Sequence, residues 1–273
     1  MLFRSDAATL DDVKSFFKTY YAPNNAALVL VGDFDPAEAK KMVAKYFEDI
    51  PASELPAPPD ISEPRQDEQK RFVKDDSLAN KPAFAIGYHM PPRNTPEYYA
   101  MGVIDQILLQ GDDSWLHQKL VQERGFTSNV GGGINLLGNM FNYNGPMLWT
   151  AYLFHDQTTS PDTLKQEIES VIAKLRTDPL DQATIDRARV KFRSSFYDDL
   201  SSTFGFGRAD LLASFALFDD DPGKINEVDE LIDKVTPELI RKTAEEYLRP
   251  TNETVLIVHP SKVMTRKEGV DAN

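Results

Sequence analysis

The 273-residue chain has no cysteine, which removes disulfide frameworks, thiolate nucleophiles and thiolate metal sites together. That absence fits the cytosol and an oxidising periplasm equally, so it does not place the protein in a compartment. Histidine is scarce: His89, His117, His155 and His259 are the four, and the nearest two are 28 positions apart. A helical metal pair needs two histidines three or four residues apart, so none of them is a metal-site candidate. Positive charge is in deficit, with 30 Lys and Arg against 43 Asp and Glu and a net charge of −13. Duplex nucleic acid requires a basic stripe to displace counterions, so a nucleic-acid partner is not expected. No apolar run approaches the roughly 20 residues that span a bilayer, so no membrane span is expected. Met1-Leu2-Phe3-Arg4 leads into polar residues and does not read as a signal peptide.

What is present is an internal match. Thr9–Val31 lies over Thr236–Val258 without gaps at an offset of 227. Thr9 meets Thr236, Asp11 meets Glu238, Val13 meets Ile240, Tyr20 meets Tyr247, Pro23 meets Pro250 and Asn25 meets Asn252. Each copy reads as one unit: a Thr N-cap, an acidic first turn, an amphipathic helix ending on an aromatic, a proline stop and a strand. The second copy closes a long folded segment, whereas the first begins at Thr9. The sequence therefore predicts that residues 1–50 are the tail of a domain whose beginning lies elsewhere.

Pro51, Pro56, Pro58, Pro59 and Pro64 mark residues 51–65 as an extended linker. Before it, Ala39, Met42, Val43, Tyr46 and Phe47 share the apolar side of a short helix. Beyond it, residues 66–262 read as a complete second domain. Strands are expected at 71–73, 83–88, 127–137 and 141–154. Helices are expected from Pro96, from Ser114 and from Pro161, and around Ile185–Phe196, Leu211–Phe215 and the second repeat copy. Strands interleaved with helical hairpins indicate an α+β fold, with helices packed on one face of a mostly antiparallel sheet. Residues 263–273 read as a disordered tail.

Several stretches resemble the insulinase/pitrilysin-type zinc peptidases. Tyr20-Tyr21-Ala22-Pro23-Asn24-Asn25-Ala26 and the following Leu28-Val29-Leu30-Val31-Gly32-Asp33 are similar to the end of that family's first domain. Lys45-Tyr46-Phe47 through Ile50-Pro51 resembles the helix leading into its linker, and Leu120-Val121-Gln122-Glu123-Arg124-Gly125 the helix-to-strand corner of its second domain. The resemblance implies duplicated α+β domains in a clamshell. In the first, an inverted His-x-x-Glu-His helix and a downstream Glu hold zinc, and the motif's Glu acts as base on the bound water.

Carried over residue by residue, the family pattern leaves this chain without that machinery. On the helix from Pro96, Gly102, Asp105 and Gln106 stand where the two histidines and the glutamate would be, and Asp105 is expected to be solvated or capping a neighbour. The family's substrate-binding Arg and Tyr, seven residues apart, correspond to Val121 and Ser128. Gly131-Gly132-Gly133 with Gly138 lacks the Gly-x-Gly-x-x-Gly spacing and reads as a bulge or close backbone approach, with peptide addition to an open edge as the functional alternative. Ser194, Ser195, Ser201 and Ser202 have no neighbouring His for a serine nucleophile. Trp115 and Trp149 read as packing residues, and Asp219-Asp220-Asp221 as a solvated loop.

The sequence thus assigns no catalytic, cofactor-binding or metal-binding residue to this chain. It is read as the C-terminal portion of a zinc-dependent metalloendopeptidase, forming part of the substrate chamber, with zinc expected in the intact parent. The expected partners are a peptide or unfolded polypeptide, the catalytic N-terminal domain or a partner subunit, and a second copy of the chain through exposed apolar surface. The alternative is a non-catalytic scaffold or partner subunit of a peptidase-like complex.

Overall fold

Thr9 opens the first helix with a capping box: its hydroxyl accepts from the Asp12 N–H at 3.2 Å, and the Asp12 carboxylate accepts from the Thr9 N–H at 2.8 Å. The computed structural model describes residues 8–202 and 207–261, so the 263–273 tail lies outside the described residues. The chain divides into two compact units, Met1–Ile61 with Tyr197–Glu227, and Ser62–Phe196 with Val228–Asn273.

In the first unit, α1 (Leu10–Tyr20) is followed by a 3-10 turn, Pro23–Asn25, and an extended stretch over 26–31. Asp35 caps α2 (Pro36–Phe47) by accepting from the N–H groups of Ala37 and Glu38 at 2.7 and 3.0 Å. Leu28, Leu30, Phe34, Ala39, Val43 and Phe47 line an apolar groove of about 540 Å³ beside α2. The start of the proline-rich segment is pinned: the Asn24 side chain exchanges two hydrogen bonds with the Ser53 backbone, at 3.0 and 3.1 Å. Further along the chain, this unit also holds part of α6 (Gln182–Ser201), α7 (Gly207–Asp219) and a 3-10 turn, Pro222–Asn226. The aspartate run is not simply a solvated loop. The Asp219 side chain is buried within 3.8 Å of the Lys224 amine, and Asp221 caps the 3-10 turn.

The second unit is built on a five-stranded sheet of order β1-β5-β2-β4-β3. The strands are β1 (Lys70–Asp76), β2 (Ala83–His89), β3 (Gly131–Ile134), β4 (Leu148–Phe154) and β5 (Glu253–Pro260). Only the β1–β5 pair is parallel; the other three are antiparallel. Strand alternation sends Phe84, Ile86, Tyr88, Trp149, Ala151, Leu153, Val255 and Ile257 to one buried face. Helices α3 (Pro96–Leu108), α5 (Pro161–Thr177) and α9 (Pro237–Tyr247) form the helical layer of the core, with α3 and α5 each packed on α9. The opposite face carries Phe72, Leu256, Ala85 and Tyr152 in one row across the sheet.

Four segments depart from the sequence reading. The run expected to be extended over 127–137 is a strand only at Gly131–Ile134, and that expected over 141–154 only at Leu148–Phe154. Between them Asn135, Asn139 and Asn142 bond one another and the loop backbone, competing with a ladder. The helix from Ser114 is α4 (Trp115–His117) and continues as a π-helix over Gln118–Glu123. A short helix, α8 (Val228–Asp233), was not foreseen.

The two repeat copies share the capped helix and the turn but not the strand expected after it: residues 26–31 are extended without ladder pairing, whereas residues 253–260 form β5. Thr236 caps α9 as Thr9 caps α1, with φ/ψ of −94/162° against −97/164°. Asn25 Nδ2 donates to Tyr20 O at 2.9 Å, and Asn252 Nδ2 donates to Tyr247 O at 2.6 Å. Their environments differ. Ile240, Thr243 and Ala244 are at most 1% exposed, whereas their counterparts Val13, Phe16 and Phe17 are 47%, 52% and 50% exposed.

Candidate functional site

Helix α3 starts at Thr95, whose hydroxyl accepts from the Tyr98 N–H at 3.2 Å. It is apolar on almost every side and runs through the middle of the core, buried from Tyr98 to Asp105 and at Ile107 and Leu108. Gly102 allows this packing: a Cβ there would lie 2.9 Å from Phe192 Cε2 and 3.1 Å from Met140 Sδ. An imidazole has no room at that position. Asp105 is buried rather than solvated, correcting the sequence expectation. Its Oδ1 accepts from the Trp149 indole N–H at 2.7 Å and its Oδ2 from Gln110 Nε2 at 2.9 Å. Trp149 is therefore a hydrogen-bond partner as well as a packing residue. Gln106 contributes its carbonyl to the Lys191 amine at 3.1 Å. A glycine, a doubly engaged carboxyl and an amide do not fit zinc, and among the described residues no group of three His, Cys, Asp or Glu is placed to hold a metal ion.

Burial raises the Asp105 carboxyl from 3.8 to about 6, against the opposing pull of Trp149, Gln110 and the Lys191 charge. The folded state therefore binds this proton more tightly than the unfolded chain. The stability tied to it is fully present below about pH 4 and is lost as pH rises through 6, on the order of 2–3 kcal/mol. Asp105→Asn should remove that dependence. Measured by urea unfolding from pH 4 to 7, its stability should rise relative to wild type by about that amount, and parallel pH profiles would contradict the assignment.

The remaining candidates are scattered. His117 on α4 lies 3.4 Å from Gln122 Nε2, His89 ends β2 and His259 lies near the end of β5. Burial is the main cause lowering the His89 pKa. Val121 falls in the π-helix and Ser128 in the loop before β3. Ser194, Ser195 and Ser201 lie on α6 with Ser202 just beyond it, and Ser201 donates back to Tyr197 O at 2.8 Å.

A cleft adjoins the β3 end of the sheet. β3 is an edge strand, paired only with β4. Close backbone approach fixes Gly132, where a Cβ would lie 2.1 Å from Thr150 O, while a Cβ on Gly131 would meet only the outer end of the Tyr152 ring at 2.7 Å. Gly132 also has φ +138°. Beside this edge is a cleft of about 490 Å³ lined in part by Lys81, Phe126, Ser128, Tyr152, Phe154 and His155. His155 is buried, with Nδ1 3.0 Å from Asp156 O and Nε2 without a hydrogen-bond partner. The arrangement presents hydrogen-bonding backbone and aromatic walls. The glycine run and peptide addition at an open edge were read from the sequence; the cleft beside that edge was not.

The family is decided by comparison with known proteins. The profile described as "Peptidase M16 inactive domain" matches residues 7–192. The chain belongs to this family. It is 25% identical over 258 residues to the zinc protease PqqE of Helicobacter pylori, covering 92% of this chain and 55% of that protein. The M16 inactive-domain fold also matches the crystal structure of a protease from Helicobacter pylori, with TM-score 0.80, 22% identity, and coverage of 93% of this chain and 60% of that one. A peptidase M16 inactive domain from Pseudomonas fluorescens gives TM-score 0.77, 19% identity, and coverage of 93% and 58%. The chain thus spans little more than half the length of these relatives.

Proposed function

We propose that this chain is the non-catalytic portion of an M16 zinc protease, with residues 1–50 closing a catalytic-type domain, 51–65 linking, and 66–262 forming a non-catalytic domain that walls a substrate chamber. The observation that carries this reading is the exposure of Val13, Phe16 and Phe17 on α1, a unit whose sibling buries the equivalent residues. An apolar helix face with a ready-made capped geometry calls for a covering layer like the one α3 and α5 give α9. Zinc then belongs to the remainder of the parent, as the name of the Helicobacter pylori relative suggests. The β3 edge and its cleft provide a place where an extended polypeptide adds to the sheet by main-chain hydrogen bonds.

The purified chain is expected to hold no stoichiometric zinc and to cleave no peptide. One tightly held zinc per chain by plasma mass spectrometry would overturn the assignment. The rival reading, a scaffold subunit of a peptidase-like complex, separates on the DNA upstream of the Met1 codon: His-x-x-Glu-His encoded in frame there supports the protease reading.

A further inference from the structure

The sheet has a second edge, and its chemistry differs from that of β3. Strand β1 is terminal in the sheet order, paired only with β5, and all seven of its residues are exposed. Phe72 and Val73 at its centre are 50% and 57% exposed. Edges are commonly guarded by shortness, bulges, proline or charged side chains, which discourage indiscriminate pairing, so the order of the charges decides which partner fits. Here the seven residues read Lys70-Arg71-Phe72-Val73-Lys74-Asp75-Asp76, basic at the start, acidic at the end, with no proline or glycine.

That order is complementary to itself when reversed. Rotation by 180° about an axis perpendicular to the sheet, midway between the two Val73 residues, lays a second β1 antiparallel beside the first. Lys70 then stands opposite Asp76 of the second copy, Arg71 opposite Asp75, Phe72 opposite Lys74, and Val73 opposite Val73. The faces agree as well. Arg71 is in register with Val255, whose side chain is buried on the helix-covered face, so Arg71, Val73 and Asp75 share that face. Lys70, Phe72, Lys74 and Asp76 share the other. Each opposed pair therefore lies on one side of the joined sheet, where oppositely charged partners attract and a lysine stem covers an aromatic ring. A parallel pairing in register would set Lys70 on Lys70 and Asp76 on Asp76, which repel. Arg71 now pairs with Asp162 at 2.7 Å, an exposed contact that leaves it within reach of a second carboxylate.

We propose that β1 is a self-recognition edge, through which two copies of this chain join antiparallel across Val73 into one continuous ten-stranded sheet. This inference is independent of the protease reading.

Two charge-reversed variants of the full chain test it in sedimentation equilibrium. Lys70→Glu with Arg71→Glu, and separately Asp75→Lys with Asp76→Lys, should each weaken the dimer by at least about tenfold. An equimolar mixture of the two should restore it, because every repelling pair becomes an attracting one. A misfolded variant would not be rescued in this way. The absence of native cysteine gives a second measurement. Val73→Cys should cross-link under mild oxidation, since directly opposed Cβ atoms lie within disulfide reach, whereas Leu78→Cys beyond the strand should not. A wild-type chain that stays monomeric, a dimer indifferent to both charge reversals, or a mixture that fails to recover would each overturn the proposal.

Discussion

Glu253→Ala should lower the unfolding free energy by about 3–5 kcal/mol, because the substitution strands a cation and two donors inside the protein. Glu253 opens β5, and its side chain is fully buried. Its Oε2 accepts from the Tyr88 hydroxyl at 3.0 Å, while Oε1 accepts from Gln69 Nε2 at 2.5 Å and faces the Lys165 amine at 3.2 Å. Burial, followed by the adjacent Glu253 charge, raises the Tyr88 pKa well above its ordinary value, so the phenol stays a donor. The carboxylate thereby ties β2, β5, α5 and the entry to β1 together. Urea unfolding reads the loss directly. The double change Glu253→Leu with Lys165→Met should recover a large part of it, since removing both charges leaves no buried ion. A single-variant loss below about 1 kcal/mol would show that water already solvates the pair.

Gly132→Ala should cost about 3 kcal/mol or more and detach β3 from β4. A methyl group there would sit 2.1 Å from Thr150 O and 2.9 Å from Ala151 Cα, both backbone atoms of the neighbouring strand that cannot swing aside. The φ of +138° adds a conformational penalty for any residue with a Cβ. Gly125→Ala is the matched control, with positive φ but nothing within 4 Å, and should cost only about 1 kcal/mol. Amide exchange of residues 131–134 and 148–152 should accelerate in the first variant and not in the second. Equal losses in both would mean that backbone conformation, not the close strand approach, fixes this glycine.

Legibility in the sequence follows the range of the interactions. The repeat, both Thr caps and both proline stops were readable because each depends on residues within one or two turns, and the α+β layering follows from periodicity alone. The β3 and β4 boundaries failed because Asn135, Asn139 and Asn142 form a side-chain network in the connecting loop, which a hydrophobic count does not register. Asp105 was misjudged for a similar reason. Its partner Trp149 is 44 residues away in the chain. One signal was available: a helix that is apolar on every side is a buried helix, and a carboxyl within it must be buried too. Asp219 shows the same limit, since its burial depends on packing that the run of three aspartates conceals.

The amide hook shared by Asn25 and Asn252 has a consequence for assembly. Each copy of the helix–turn unit closes its corner with a bond from its own chain, five residues back, so its shape does not wait on a neighbour. Residues 20–25 accordingly hold their corner through bonds within their own stretch of chain. On the proposed reading, a covering domain meets a corner that is already formed, so less conformational freedom is surrendered when the two come together.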